Sequence, residues 1–336
     1  MTNRFEQSPS WDSQVQSTLW GTLPTADNSS VDTDLVAWKK LQNLLYKSIT
    51  PSSTFTTSIV STYSLVYTVT FAYTGGVLAP NGDIHFVPSS AANRGQKISA
   101  SGLVSTYSLV YTGSTYIGGV LAPNGDIHFV PFSAPVGQKI NASGIVSTYS
   151  LVYTTSSGAY LGGVLAPNGD IHFVPYLANR GQKISASGVV STYSLVYTTS
   201  SGAYIGGVLA PNGDIHFVPL YASVGQKISA SGVVSTYSLV YTTSSGAYVG
   251  GVLAPNGDIH FVPYRGSVGQ KISASGVVST YSLVYTATAA YYGGILAPNG
   301  DIHFVPYSAP VGQKISTMAS TPFEDGICLS PWFNKF

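Results

Sequence analysis

The sequence predicts an all-β protein, a six-bladed β-propeller with four antiparallel strands in each blade, on three observations. The stretch GGVLAPNGDIHFVP occurs six times, and in the last copy Ile295 replaces the first valine. The copies begin 43 or 44 residues apart, which is the length of a four-stranded propeller unit. Charged residues make up only 8% of the chain and hydrophobic ones 44%, and tyrosine, threonine and glycine supply much of the polarity, a composition typical of β-structure.

The N-terminal residues 1–56 stand outside the repeat and are predicted to form an extended arm with one amphipathic helix at about residues 32–49. Asp32 and Asp34 would cap the helix and place negative charge in its first turn, and Pro51 would end it. Apolar side chains at helical spacing form one stripe, which would pack on the domain itself or dock on a partner. The candidate docking residues of this stripe are Leu35, Trp38, Leu41 and Leu45.

The repeat domain, residues 57–316, carries four strand signals in each unit. In the first unit they are Gly75–Pro80, Asp83–Pro88, Gly95–Ser99 and Val104–Thr112. Asn81 and Gly82 predict a two-residue type I′ turn, which would place Leu78 opposite His85. The first two strands are nearly continuous apolar runs, as expected where both faces of a sheet are covered by neighbouring blades.

The order of the strand types predicts how the ring closes. The segment STYSLVYT occurs first at Ser61, before the first GGVLAP, and it does not follow the last GQKIS, Gly312–Ser316. The sixth blade therefore lacks an outer strand unless residues 61–68 supply it. Such closure would join the two ends of the repeat and remove an open edge.

The C-terminal residues 317–336 form an aromatic tail that would pack on the ring or join a partner, with Trp332 and Phe333 as candidate docking residues. The single cysteine, Cys328, excludes an intrachain disulfide framework and a cysteine-based zinc site. The net charge of +1 without a basic run gives no support for nucleic-acid binding. No apolar run is long enough for a membrane span.

The repeat resembles two groups of proteins. The stretch NGDIHFV takes the turn and second-strand places of NHL-type six-bladed propellers, and the pairs Asn93-Arg94 and Asn179-Arg180 match the loop before the third strand of those propellers. The sequence motif GGVLAPNG is similar to a motif in repeat proteins of large DNA viruses, phages and some protists. This second resemblance covers residues 61–316 and implies a structural protein of a virion or phage.

Each copy of the repeat carries an aspartate and a histidine two residues apart, on one face of the second strand. A ring of such pairs could bind a metal or act in acid–base catalysis. Six equivalent sites lack the separated pKa values that catalysis requires, so we interpret the pairs as structural and expect no catalytic residue, metal or cofactor. The pairs are Asp83/His85, Asp126/His128, Asp170/His172, Asp214/His216, Asp258/His260 and Asp301/His303.

A tyrosine precedes each glycine pair by two residues, in a loop at the same end of the ring as the variable loops that follow FVP. Variation at that end is what loops tolerate, and it is also what an aromatic ligand face would show, with rings stacking on sugars or on a protein partner. The candidate ligand-binding residues are Tyr73, Tyr116, Tyr160, Tyr204, Tyr248 and Tyr291.

These patterns predict a non-enzymatic structural or attachment protein that displays a propeller in a virion, after assembly in the host cytoplasm. Residues 1–56 and 317–336 would bind other structural proteins of the assembly. The alternative is a multivalent lectin that binds surface glycans in equivalent pockets between the blades.

Overall fold

The computed structural model describes residues 61–155, 158–199, 201–243 and 245–317. In these ranges the strands form six antiparallel sheets, five with four strands and one with three. The ranges contain no α-helix, and therefore no helix that could cross a membrane. The predicted helix at residues 32–49 and the predicted docking residues of both terminal segments lie outside the described residues.

The strands follow the repeat from sheet to sheet. The first sheet contains β1 (Tyr73–Leu78), β2 (Ile84–Pro88), β3 (Arg94–Ile98) and β4 (Val104–Ser108). The second contains β5 (Tyr116–Leu121), β6 (Ile127–Pro131), β7 (Val136–Ile140) and β8 (Val146–Ser150). The third contains β9 (Tyr160–Leu165), β10 (Ile171–Pro175), β11 (Arg180–Ile184) and β12 (Val190–Ser194).

The remaining three sheets repeat this order. The fourth contains β13 (Tyr204–Leu209), β14 (Ile215–Pro219), β15 (Val224–Ile228) and β16 (Val234–Ser238). The fifth contains β17 (Tyr248–Leu253), β18 (Ile259–Pro263), β19 (Val268–Ile272) and β20 (Val278–Ser282). The sixth contains only β21 (Tyr291–Leu296), β22 (Asp301–Pro306) and β23 (Gln313–Ser316).

The first strands of the six sheets contact one another in the order β1, β5, β9, β13, β17 and β21, so each sheet is a blade whose first strand is innermost. Glycine pairs allow this approach, since a Cβ placed on Gly162 would lie 3.1 Å from the Cα of Gly206 in the next blade. The prediction of an all-β, propeller-like protein built from six sheets is therefore confirmed.

The turn between the first two strands differs from the predicted type I′ turn. Gly82 has a φ of 85°, whereas Asn81 is not among the residues with positive φ. The Gly82 N–H donates to the Ala79 carbonyl at 3.0 Å, and the Ala79 N–H donates to the Asp83 carbonyl at 2.8 Å. Pro80 causes the difference, because its fixed φ suits the second position of a type I turn and it has no N–H to close a two-residue hairpin.

The three-residue loop shifts the pairing of the hairpin by one residue. Val77, and not Leu78 as predicted, lies opposite His85. The second blade has the same register, with Val120 opposite His128.

The fourth strand is shorter than predicted, because it ends at Ser108 instead of Thr112. The chain then crosses to the next blade, where the N–H groups of Val110 and Tyr111 donate to Oε1 of Gln138 at 3.1 and 2.8 Å. Gln138 is fully buried. One glutamine side chain thus accepts two hydrogen bonds from the segment that leads into its blade. The receiving residues are Gln96, Gln138, Gln182, Gln226, Gln270 and Gln313.

Substituting this glutamine is expected to weaken the contact between two blades. Gln226→Leu would remove the acceptor that the N–H groups of Val196 and Tyr197 reach at 2.9 and 2.8 Å. A fully buried N–H left without a partner costs about 1–3 kcal/mol. Because Val196 is 61% exposed and Tyr197 half-buried, we expect the free energy of unfolding to fall by about 1–3 kcal/mol in total. Urea denaturation measures this loss, with Ser238→Ala on the exposed outer strand as the control. Equal stability of the two variants would contradict the assigned role.

The two end sheets expose apolar residues that inner sheets bury. Ile295 is 62% exposed, whereas Val252 at the same place in the fifth blade is 5% exposed. Leu78 is 40% exposed, against 4% for Leu253. Among the described residues no contact of comparable extent joins β21 to β1. Residues 61–68, predicted to be the outer strand of the sixth blade, form no strand in the structure.

Candidate functional site

The six aspartates of the repeat lie beside the Pro-Asn-Gly turns and are held by ion pairs. In the first blade, Nζ of Lys97 lies 2.6 Å from Oδ2 of Asp83, and the Ala100 N–H donates to Oδ1 at 3.2 Å. The same ion pair occurs in every blade, at 2.6–2.7 Å. Each carboxylate therefore ties the inner hairpin of its blade to the outer one.

The histidines contact tyrosines, not the aspartates with which the sequence analysis paired them. Nδ1 of His85 lies 3.4 Å from the hydroxyl of Tyr107, and the two rings meet edge to face. Four further blades repeat this contact at 3.3–3.4 Å, between His128 and Tyr149, His172 and Tyr193, His216 and Tyr237, and His260 and Tyr281. The contact joins the second strand to the fourth strand of the same blade.

Burial fixes the protonation states at this end of the blades. The pKa of four histidines is lowered to about 4, mainly by desolvation. The nearby lysines also lower these pKa values, whereas the aspartates raise them. The four residues are His128, His172, His216 and His260. The hydrogen bond from Lys97 is the main cause that lowers the pKa of Asp83. At neutral pH the Asp83 carboxylate is ionised and these four imidazoles are neutral.

A small cleft opens between the third and fourth blades at this end. Its volume is about 100 Å³, and its lining includes Asp170, His172, Lys183 and residues 229–232. Small-molecule sites occupy about 300–1,000 Å³, so this cleft has room for a few water molecules. Within the described ranges, no group of three or more His, Cys, Asp or Glu side chains could hold a metal ion.

The six tyrosines predicted to face a ligand lie inside the blades. Five of them are at most 1% exposed, and only Tyr73 is partly accessible. Each hydroxyl donates to a backbone carbonyl about twenty residues further on, as from Tyr116 to Val136 at 2.9 Å. Each ring also packs on a phenylalanine, as Tyr116 does on Phe129. The expected position at the loop surface is therefore corrected for the five buried tyrosines, because their rings fill the blade core and have no free face for stacking.

A different group of tyrosines lies at the loop end, where the second strands end and the variable loops begin. Tyr264 follows β18, Tyr307 follows β22, and Tyr292 is the second residue of β21. Their ring centroids are 6.1 Å apart for Tyr264 and Tyr292, 6.4 Å for Tyr264 and Tyr307, and 5.6 Å for Tyr292 and Tyr307. Tyr292 is 51% and Tyr307 68% exposed. We call these three residues the loop-end tyrosines.

The surroundings of the loop-end tyrosines are aromatic and cationic. Cζ of Arg265 lies 5.4 Å from the centroid of the Tyr264 ring. Burial is the main cause that raises the pKa of Tyr292, and Tyr264, Tyr307 and Tyr176 also raise it. Tyr176, which belongs to the third blade, packs on Phe132 of the second blade.

The charges that remain unpaired also lie at the loop end. All acidic residues of the described ranges are the six aspartates, and each is paired with a lysine. Three arginines remain there without an ion pair: Arg94, Arg180 and Arg265. Arg94 and Arg180 begin β3 and β11, and Arg265 lies in the loop before β19. This end of the blades therefore carries a net positive charge.

Sequence reasoning missed these residues, although a signal for them was present. Tyr264 and Tyr307 belong to the variable loops after FVP, which were recognised as the most divergent part of the repeat. The tyrosine that recurs in every copy is the stronger pattern, but a side chain that recurs in every blade more often stabilises the blade itself.

Neither a protein-family model nor a curated protein matches this sequence. The fold is similar to that of virginiamycin B lyase from Staphylococcus aureus, with 20% identity, a TM-score of 0.61, and coverage of 74% of this chain and 85% of that chain. A streptogramin B lyase structure matches with 20% identity and a TM-score of 0.60, over 74% of this chain and 84% of that chain. At such identity the likeness concerns the six-bladed propeller fold alone.

Proposed function

We propose that this chain is a non-enzymatic structural or attachment protein of a virion or phage-like particle, which displays the propeller and binds through its loop end. The contrast between the two ends of the blades supports this proposal. At the turn end, the same ion pair recurs in every blade and is satisfied internally. At the loop end, unpaired arginines and exposed tyrosines differ from blade to blade. Catalysis would need groups in unlike environments, which a repeated set does not offer.

The proposal that the chain belongs to a virion or phage-like particle rests on the repeated sequence motif GGVLAPNG, which is similar to motifs of viral and phage proteins. In this proposal the terminal residues 1–56 and 317–336 bind other structural proteins and anchor the propeller in the virion. These segments carry the apolar side chains that lie outside the repeat, including Trp38 and Trp332.

Deletion of residues 1–50 is expected to abolish incorporation into the particle and to leave the propeller folded. The reason is that the deletion removes the proposed anchor and none of the repeat strands. Co-sedimentation of the chain with particles on a density gradient measures incorporation, and thermal unfolding followed by circular dichroism checks the fold. Incorporation of the truncated chain at the level of the full chain would contradict the anchoring role.

We further propose that the ring closes in the way that the strand order predicts, with residues 61–64 as the fourth strand of the sixth sheet. In the five complete sheets, a tyrosine of the fourth strand lies opposite a glycine of the third strand, as Tyr107 does opposite Gly95. A Cβ on Gly95 would overlap the ring of Tyr107, whereas a Cβ on Gly312 in the sixth sheet would meet nothing within 4 Å. The same register assigns Tyr63 to Gly312.

The groups that closure would bring together are exposed in the structure. Tyr63 is 59% exposed, and His303 is exposed where the equivalent histidines of the other five blades are buried against tyrosines. The N–H groups of Val66 and Tyr67 donate to Gln96 at 3.0 and 2.8 Å, as the residues after every fourth strand do. Residues 61–64 therefore have the same position before the first blade that the fourth strand of each blade has before the next blade.

Carbohydrate binding is the second candidate function, and the loop-end tyrosines favour it. Aromatic faces that are open to solvent can stack on the apolar faces of sugar rings, and their hydroxyls can bond to the hydroxyls of the sugar. The cleft between the third and fourth blades offers much less room, so the loop end is the surface that we assign to a glycan.

A further inference from the structure

Departures from the repeat converge in space at the junction of the fifth and sixth blades. Tyr292 stands where the other copies have Thr74, Ile117, Leu161, Ile205 and Val249. Arg265 occupies a variable loop position, where the second, third, fourth and sixth copies have Ser133, Leu177, Tyr221 and Ser308. In a chain whose copies are otherwise so alike, three-dimensional clustering of the exceptions indicates a site that the scaffold itself does not require.

The backbone beside these residues follows the repeat, but the residue type there departs from most copies. Ala289 has a φ of 56°, in the left-handed region, where the third, fourth and fifth copies have Gly158, Gly202 and Gly246. The Ala289 carbonyl accepts hydrogen bonds from both the N–H and the hydroxyl of Ser308, at 3.1 and 2.7 Å. These bonds hold the loop that carries Tyr307 next to the loop that leads into β21.

Arg265 has the properties of a ligand-binding cation. Its side chain is exposed, and among the described residues it forms no ion pair. One of its N–H groups donates to the Ser245 carbonyl at 3.2 Å, and its guanidinium lies over the Tyr264 ring. These two contacts fix the orientation of the guanidinium and leave further N–H donors for an anion, which a carboxylate can accept in pairs.

We propose that the loop-end tyrosines and Arg265 bind an acidic sugar, with the sugar ring on the tyrosines and its carboxylate on Arg265. This inference rests on the proposed binding at the loop end and names the ligand class. A neutral sugar would leave the guanidinium without a counter-charge, and an apolar ligand would not use it. Arg94 and Arg180, at the same end, add a positive field that attracts the anion and that salt would screen.

A nucleic acid would also be anionic and could stack on tyrosines, but the observations favour the sugar. Non-specific binding of a nucleic acid depends on many cations that follow the phosphates along a groove. The described ranges have three unpaired arginines, one each in the first, third and fifth blades. The single guanidinium of Arg265 would bind one carboxylate, and the three loop-end tyrosines would stack on one or two sugar rings.

The test is titration calorimetry of the full chain with a hyaluronan tetrasaccharide, which contains glucuronate, and with chitotetraose as its neutral counterpart. We expect the neutral sugar to bind at least about tenfold more weakly, which corresponds to about 1.4 kcal/mol. Arg265→Ser and Tyr292→Val introduce residues that other copies already hold at these positions, so the fold should tolerate them. Each is expected to weaken hyaluronan binding by about tenfold or more, whereas Arg180→Ser should change it by less than about threefold at physiological salt.

Three results would overturn the inference: no binding of hyaluronan at millimolar concentration, equal binding of both sugars, or unchanged binding by Arg265→Ser. Displacement of the sugar by a single-stranded oligonucleotide of higher affinity would also overturn it, in favour of a nucleic-acid site. Measuring particle incorporation of the intact chain distinguishes failure of the sugar site from failure of the proposed structural function. Incorporation without sugar binding removes the sugar site alone, whereas sugar binding without incorporation removes the anchoring role.

Discussion

Tyr63→Ala is expected to lower the free energy of unfolding by about 2–4 kcal/mol, somewhat below the loss that follows removal of a fully buried aromatic ring. The reason is that ring closure would place Tyr63 over Gly312 and against His303, as Tyr107 lies half-buried over Gly95 and against His85. Urea denaturation of the full chain, monitored by circular dichroism, measures the loss. Without closure Tyr63 stays on the surface, and its truncation would then cost less than about 0.5 kcal/mol.

Two matched variants make this result interpretable. Tyr107→Ala, in the first blade, removes the equivalent ring from a complete sheet and should cost as much as Tyr63→Ala. Thr70→Ala changes an exposed side chain near Tyr63 and should have no measurable effect. A loss for Tyr107→Ala together with no loss for Tyr63→Ala would refute closure by residues 61–64.

Acidification is expected to destabilise the protein strongly between pH 6.5 and pH 4. Unfolded histidine has a pKa of about 6.5, whereas burial lowers the pKa of His128, His172, His216 and His260 to about 4. Stability is therefore complete above pH 6.5 and falls as the unfolded chain takes up protons that the folded chain refuses. At pH 5 each of these histidines should cost about 2 kcal/mol, since one pKa unit corresponds to about 1.4 kcal/mol.

Five of the aspartates act in a separate, more acidic pH window, namely Asp83, Asp170, Asp214, Asp258 and Asp301. The pKa of Asp83 is lowered by its hydrogen bond from Lys97, so the stability from this ion pair is present above the ordinary aspartate pKa and is lost only as the pH falls below it. A series of urea unfolding curves from pH 7.5 to pH 3 should therefore show two successive losses of stability. His216→Gln removes one titrating imidazole and should reduce the slope between pH 6.5 and 4. A stability that is constant across that interval would contradict the buried, neutral histidines.

The repeat made the architecture predictable, because six nearly identical segments are expected to fold into the same strands and to pack in the same way. The number of sheets, the chain order within each sheet and the apolar second strands follow directly from the pattern. The error at the Asn81–Gly82 turn arose because two turn signals compete. The preceding Pro80 has a fixed φ and no N–H, and this constraint outweighed the preference of Asn-Gly for a type I′ turn.

The candidate site was harder to predict than the fold. Tyr116 lies two residues before a glycine pair and Tyr292 lies directly before one, yet the first is buried and the second is 51% exposed. Alternation along the inner strand puts neighbouring residues on opposite faces, and only the packing of the blades decides which face meets solvent. The aromatic cluster also joins Tyr264, Tyr292 and Tyr307, which are far apart in sequence and come together through the contact between two blades.

By itself the sequence determined that this protein is built from six β-sheets of one kind, because spacing and composition act within each unit. Tertiary structure alone decided how the units use their side chains. It assigned each aspartate to a lysine instead of a histidine, each recurrent tyrosine to the core, and each glutamine to the connection with the preceding blade. The physical reason is that burial and partner choice depend on the neighbouring blade, whereas the local pattern is the same in every copy. Contacts between the blades also bring Arg265 beside the loop-end tyrosines. We expect the function of the chain to depend on this non-repeated group of residues.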